Sequence, residues 1–168
     1  MKLMDTSSII LFLDRIPEYE FIIGFSENGE VMIITSVVEE EYYKKTISSF
    51  DNPNYNLNQL LNDEIILKEN YPINSLIQNR YFNLGKGEQS IISLALKYHE
   101  QNKEYFCVLD DKDARKIAKK LGLNVKGSIG LLLLLKEKGL LENPIEVADK
   151  IRQSNFRISE KILEELYA

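Results

Sequence analysis

The first apolar run of the chain, KLMDTSSIILFLDRI over residues 2–16, carries Asp5 where a buried strand tolerates charge least. The conflict is resolved if the run is two elements. Lys2 to Met4 then form a short strand, and Ser7 to Ile16 a helix whose Ile9, Ile10, Phe12, Leu13 and Ile16 repeat at helical spacing. Pro17 ends it, because proline lacks the N–H and disfavours a helical residue before it. Asp5 is left at the junction. The same alternation of strand-length and helix-length apolar segments recurs along the chain with no internal repeat and no low-complexity linker, which points to a mixed α/β domain.

Further along, EFIIGF reads as a strand, ENGE as an Asn-Gly turn and VMIIT as a second strand, so a hairpin is expected there. Thr35 or Ser36 is placed to cap the helix that begins SVVEEEYYKKTI. Between Asp51 and Asn83 the spacing predicts a helix at NLNQLLN, a strand at EIILKE, and loops around Pro53 and Pro72. LGKGEQSIISLALKYHEQN sets two glycines before a periodic helix. EYFCVLDD is an apolar strand closed by paired aspartates, and KDARKIAKKLGL a helix stopped by Gly122. NVKGSIGLLLLLKEKGLL and ISEKILEELYA supply the last helices.

Acids gather at one kind of junction. Asp5 closes a strand, Glu39, Glu40 and Glu41 open the helix after another, Glu88 opens a third helix, and Asp110 and Asp111 close a further strand. In a parallel α/β sheet, strand C-termini and the helix N-termini that follow share the edge where ligands bind. Carboxylates collected there repel one another unless a cation compensates, and hard divalent ions take such oxygen ligands. The chemistry this supports is metal-dependent phosphodiester cleavage. Each acid also has a plainer role open to it: Asp5 as the cap of the helix near Ser7, the glutamates as first-turn residues favoured by the helix dipole, Asp110 or Asp111 as the cap of the next helix.

The net charge of −5 argues against an indiscriminate nucleic-acid binder, but the distribution is uneven. From Met1 to Glu64 there are 12 acidic residues against 4 basic, and from Lys112 to Lys138 there are 8 basic against 2 acidic. Lys116, Lys119 and Lys120 fit either a phosphate-binding face or a solvated helix face. One cysteine, Cys107 in YFCVL, permits no disulfide framework and reads as a core residue, so a cytoplasmic setting is expected. His99, the one histidine, lies toward the polar end of a helix, and a structural zinc site lacks ligands. The Asp5 and Asp14 charges break any secretory leader, and the Leu131 to Leu135 run is far short of the ~20 residues a membrane span needs. At 168 residues and 44% hydrophobic, the chain has the length of one domain.

Three segments carry a resemblance: MDTSSIILFL, LGKGEQSIISLALKY, and VLDDKDARKIAKKLGLNVKGSIGLLLLLKEKGLL. The sequence resembles the PIN domain family, particularly the stand-alone prokaryotic type similar to the VapC toxins and their predicted nucleic-acid-binding relatives. The resemblance implies one PIN-like domain over residues 1–168, an α/β/α sandwich with a central, mainly parallel sheet flanked by helices. Residues 50–83 match poorly, and 143–168 form C-terminal helices. It also implies a Mg²⁺ or Mn²⁺ site and endonuclease activity on single-stranded RNA. Residue by residue, the first-strand aspartate matches Asp5, the small hydroxyl residue beside it Ser7, the Gly-Glu motif Gly87-Glu88, and the late aspartate Asp111 with Asp110 beside it. The middle glutamate matches Glu41, with Glu40 as competitor. Asp5, Glu41, Glu88 and Asp111 are thereby implied as catalytic metal ligands, and Ser7, Arg115, Lys116 and Lys119 as substrate contacts. An RNA substrate, a small antitoxin protein, a homodimer and no membrane complete the implication.

Two departures stand out: Gly85 occupies the place where many relatives carry another acid, and VLDD lacks the usual threonine before the late aspartate. A catalytically silent nucleic-acid- or protein-binding module therefore stays open beside the nuclease. A phosphotransferase of the haloacid-dehalogenase kind wants a second aspartate two residues after the first, and Ser7 stands there.

Overall fold

The three central strands are short apolar runs buried on both faces, the pattern expected of a parallel sheet covered by helices, while the two outer strands are partly exposed. In the computed structural model, which describes residues 1–16, 19–46 and 57–168, β1 is Lys2–Met4, β2 Met32–Thr35, β3 Ile66–Glu69, β4 Phe106–Val108 and β5 Val125–Lys126. All pair in parallel, in the order β3-β2-β1-β4-β5. Leu3, Met4, Ile34, Cys107 and Val108 are fully buried, so the sheet is the centre of the core. Flanked by helices, this sheet makes the α/β/α sandwich expected from the sequence.

Ten helices among the described residues surround it: α1 (Thr6–Ile10), α2 (Tyr19–Glu27), α3 (Ser36–Thr46), α4 (Leu57–Asn62), α5 (Ser75–Arg80), α6 (Lys86–Glu100), α7 (Lys112–Lys120), α8 (Ser128–Glu137), α9 (Pro144–Gln153) and α10 (Glu160–Tyr167). The first runs on into a wider π-helical turn, Leu11–Arg15, so the helix read from Ser7 to Ile16 is present with a change of winding. Helix α3 is capped by Thr35, whose hydroxyl accepts the Val38 N–H at 3.2 Å. The helix read at NLNQLLN and the strand at EIILKE are present as α4 and β3, whereas the loop expected around Pro53 lies outside the described residues. None of the described helices is long and apolar enough to cross a membrane.

The hairpin is a correction. Residues read as a strand in EFIIGF belong to α2, and β2 runs parallel to β1. A short apolar run cannot be assigned by periodicity alone, and here Ile22 and Phe25, both buried in the core, are one helical turn apart. The Asn-Gly pair ends the helix instead of turning a hairpin: Asn28 donates its side-chain amide to the Gly24 carbonyl at 2.7 Å, and Gly29 takes a positive φ of 75°. Two short elements were not anticipated, α5 and β5.

Strand order fixes where a ligand can sit. From β1 the chain steps outward to β2 and β3, then returns to add β4 and β5 on the other side. The reversal between β1 and β4 is a topological switch point, where the loops leaving the two strands part and open a crevice. Asp5 and Asp110 leave β1 and β4 there.

Candidate metal and nucleic-acid site

Asp5 is the N-cap of α1. Its Oδ1 accepts the Ser8 N–H at 2.8 Å and also the Ser8 hydroxyl, and the residue is 1% exposed. Ser8 Oγ also lies 3.1 Å from the Val108 carbonyl, which ties the start of α1 to the end of β4. Across the switch point the Asp110 N–H points at Asp5 Oδ2, 3.4 Å away. Burial, and then the neighbouring Asp110 charge, push the Asp5 carboxyl up to about 7. Asp110 is raised as well, chiefly by burial, although its two oxygens accept the Ser128 N–H at 2.8 Å and the Ser128 hydroxyl at 2.6 Å.

Glu41 reaches the same place from α3, which packs against α1 and α6. Its Oε2 accepts the Thr6 hydroxyl at 2.6 Å and its Oε1 the Gly87 N–H at 3.0 Å, so one carboxylate links the starts of α1 and α6. Gly87 has to be glycine for this: a Cβ there would stand 2.5 Å from Glu41 Oε2 and 2.7 Å from Thr6 Oγ1. Glu88 closes the first turn of α6 by accepting the Gly85 N–H at 3.0 Å. Burial, with the charges of Asp111 and Glu41, raises its carboxyl above the ordinary range. A cleft is lined by Asp5, Thr6, Ser7, Glu41, Lys45, Gly85 and Glu88.

Of the paired candidates, Glu40 points to solvent, ion-paired to Lys44 at 2.7 Å, and Glu41 alone of the two lines the cleft. Asp110 faces Asp5, while Asp111 caps α7 by accepting the Ala114 N–H at 2.8 Å and acts on Glu88 through its charge. Among the described residues no three Asp, Glu, His or Cys side chains surround a common point as a closed cage for a cation. Glu41, Glu88 and Asp110 are held by N–H and hydroxyl donors instead. In donor chemistry the set does fit a hard divalent ion: it is all oxygen and anionic, burial raises Asp5, Glu88 and Asp110, and neighbouring carboxylates raise Asp5 and Glu88 further, in a way a cation would relieve.

A family model described as a PIN domain matches the chain over residues 1–168. The chain belongs to the PIN domain family. No curated protein and no solved structure matches it at a significant level. PIN domains are generally nucleases that use divalent metals, and the acidic crevice of this PIN domain lies at the carboxyl edge of its sheet.

The residues expected to contact substrate in this PIN domain are spread out. Ser7 is exposed and lines the cleft, while the hydroxyls that hold carboxylates belong to its neighbours Thr6 and Ser8. Arg115 donates Nη1 to the carbonyls of Leu109 and Asp110 at 2.8 and 2.6 Å, fixing the chain where it leaves β4. Lys116 is exposed on α7 beside Asp113 at 3.8 Å, and Lys119 is exposed one turn on; neither lines the cleft. The reading missed Thr6, Ser8, Lys45 and Ser128. For Ser8 a signal existed, since it stands three residues after Asp5, the spacing from a cap to the N–H it accepts. Ser128→Ala is expected to cost about 1–2 kcal/mol, because it strips a hydroxyl donor from a largely buried carboxylate. That hydroxyl favours the charged form of Asp110, so urea denaturation should reveal a larger loss at pH 8 than at pH 5.

Proposed function

We propose that this PIN domain is a Mg²⁺- or Mn²⁺-dependent endoribonuclease that cuts single-stranded RNA. The observation that carries the reading is the nearly inaccessible Asp5 at the switch point, opposed by Asp110 and sharing one cleft with Glu41 and Glu88. Asp5, Glu41, Glu88 and Asp111 would hold the ion, with Asp110 beside them. Bound there, a divalent cation supplies Lewis acidity toward the scissile phosphate and lowers the pKa of its water.

The rest falls to the chain's own groups. Asp5 Oδ1 is committed to Ser8, so Oδ2 is the atom that takes up a proton or a positive charge. Thr6 and the Gly87 N–H fix the Glu41 carboxylate at the wall of the cleft. Lys45 on the rim offers a counter-charge to an entering phosphate. Arg115 serves by position, pinning the strand end that presents Asp110.

The finer reading makes the chain the toxin of a toxin-antitoxin pair, a cytoplasmic homodimer acting as one domain and restrained by a small antitoxin. It is supported by the resemblance of the three segments quoted above. A second reading, a silent binding module, is favoured by Gly85 and VLDD, which stand where many relatives carry a further acid and a threonine. Incubating the purified protein with end-labelled single-stranded RNA separates the two. Cleavage in Mn²⁺ or Mg²⁺ that EDTA abolishes is the expected result, and RNA binding with no cutting in either metal would leave the silent module.

A further inference from the structure

Five large apolar side chains are exposed among the described residues: Leu67, Leu76, Phe82, Ile145 and Ile162. Phe82 is the barest at 80%, and its place in the chain sets it apart. It stands three residues before Gly85, which lines the acidic cleft, so its Cα is no more than about 11 Å from that of Gly85.

The loop that carries it is fixed. Tyr81 is partly buried against the core and Leu84 is buried, so both flanks are anchored while Phe82 and Asn83 are exposed. Leu84 donates its N–H to the Tyr81 carbonyl at 3.1 Å. From beneath, the buried Gln89 donates its amide to the carbonyls of Tyr81 and Leu84, at 3.0 and 3.1 Å. A 1%-exposed amide thus holds the turn that displays a bare aromatic ring. Cations stand on either side of it in the chain, Arg80 with its guanidinium 5.7 Å from the Tyr81 ring and Lys86 at the start of α6 with its Nζ 3.5 Å from Gln89 Oε1, and Lys45 lines the cleft itself.

We propose that Phe82 is a stacking platform for an unpaired base, which seats a single-stranded nucleic acid across Arg80 and Lys86 and leads its backbone to the cleft. The inference rests on the reading of the cleft as an RNA-cutting site. An aromatic face accepts any base, and neighbouring cations track the phosphates, the combination by which single strands are bound without sequence readout. A duplex keeps its bases stacked internally and gains nothing from the ring.

The test uses the full chain in EDTA, so that binding is read without cutting, with a fluorescently labelled single-stranded RNA and the matching duplex. Phe82→Ala should weaken single-strand binding by roughly ten- to a hundredfold and leave duplex binding within about twofold. Phe82→Trp should keep single-strand affinity. Because the chain has no tryptophan, that residue would be the sole one, and its emission should be quenched on binding. Equal affinity of the wild type and Phe82→Ala for single strands, while the wild type still cuts RNA in Mn²⁺, overturns the platform and spares the nuclease. A change of oligomeric mass in Phe82→Ala with RNA affinity intact also overturns it and assigns the patch to a protein partner. A wild type that neither binds nor cuts RNA removes both readings.

Discussion

Asp5→Asn is expected to abolish RNA cleavage while making the metal-free protein harder to melt. The first effect follows from removing the most buried anion of the cleft. Charge stabilisation by a bound ion supplies several kcal/mol at the transition state, and each 1.36 kcal/mol is tenfold in rate, so the loss should be roughly a thousandfold or more. The second follows from the electrostatics of the fold. Folding carries the Asp5 carboxyl from its ordinary value of 3.8 up to about 7, first through burial and then through Asp110. Between those values the folded state holds the proton that the unfolded state has released, so stability declines as pH rises through that window. Asparagine carries no charge to bury. In EDTA at pH 8 the variant should gain about 1–2 kcal/mol, a rise in Tm of roughly 3–6 °C, and at pH 4 the gain should vanish. Scanning calorimetry at the two pH values, beside a cleavage assay, reads both effects; an unchanged rate would remove Asp5 from the chemistry.

Gly87→Ala is expected to be the most damaging change of a single methyl group. The added Cβ would meet Glu41 Oε2 at 2.5 Å and Thr6 Oγ1 at 2.7 Å, distances that real Cβ atoms do not show. Something must move. The Glu41 carboxylate, at the far end of a flexible side chain, and the Thr6 hydroxyl are the parts that can yield, and a shift of Glu41 gives up its bonds to the Thr6 hydroxyl and the Gly87 N–H together. Forced repacking of this kind costs about 1–3 kcal/mol, and cleavage should fall roughly ten- to a hundredfold as Glu41 leaves the cleft. Gly85→Ala is the control for stability, because a Cβ there stands 3.6 Å from Glu88 Oε2, an ordinary contact. Thermal melts of the two variants should differ by several degrees. A Gly87→Ala protein that melts and cuts like the wild type would show that Glu41 is not held where the structure puts it.

Residue by residue, legibility tracked how local the determining physics is. Asp5 could be placed at a strand-helix junction because the conflict between charge and apolar run lies within a few residues. Helix α6 was plain from the glycines before SIISLALKY. The strand read at EFIIGF failed because so short an apolar run satisfies both periods, and only burial of Ile22 and Phe25 on one helical face decides it. Glu40 and Glu41 could be separated only weakly by spacing; the Glu40–Lys44 pair, one helical turn long, turns the first to solvent. Ser128 was out of reach, since its bond to Asp110 spans 18 residues and two elements. Asp110 and Asp111 could not be told apart because the fold uses both, one against Asp5 and one as a cap.

The central position of β1 has a kinetic side. It precedes the other four strands in the chain and pairs on both flanks, with β2 nearby in sequence and with β4 far from it. Asp5 and Asp110 are 105 residues apart in the chain, so closing the sheet between them carries the loop entropy of a very long-range contact. A ribosome-bound chain that has already made Asp5, Glu41 and Glu88 still lacks the strand that brings up the other wall of the crevice. The crevice is therefore complete only once the last strands have joined the sheet, and a chain that stops short of β4 lacks the Asp110 wall that faces Asp5.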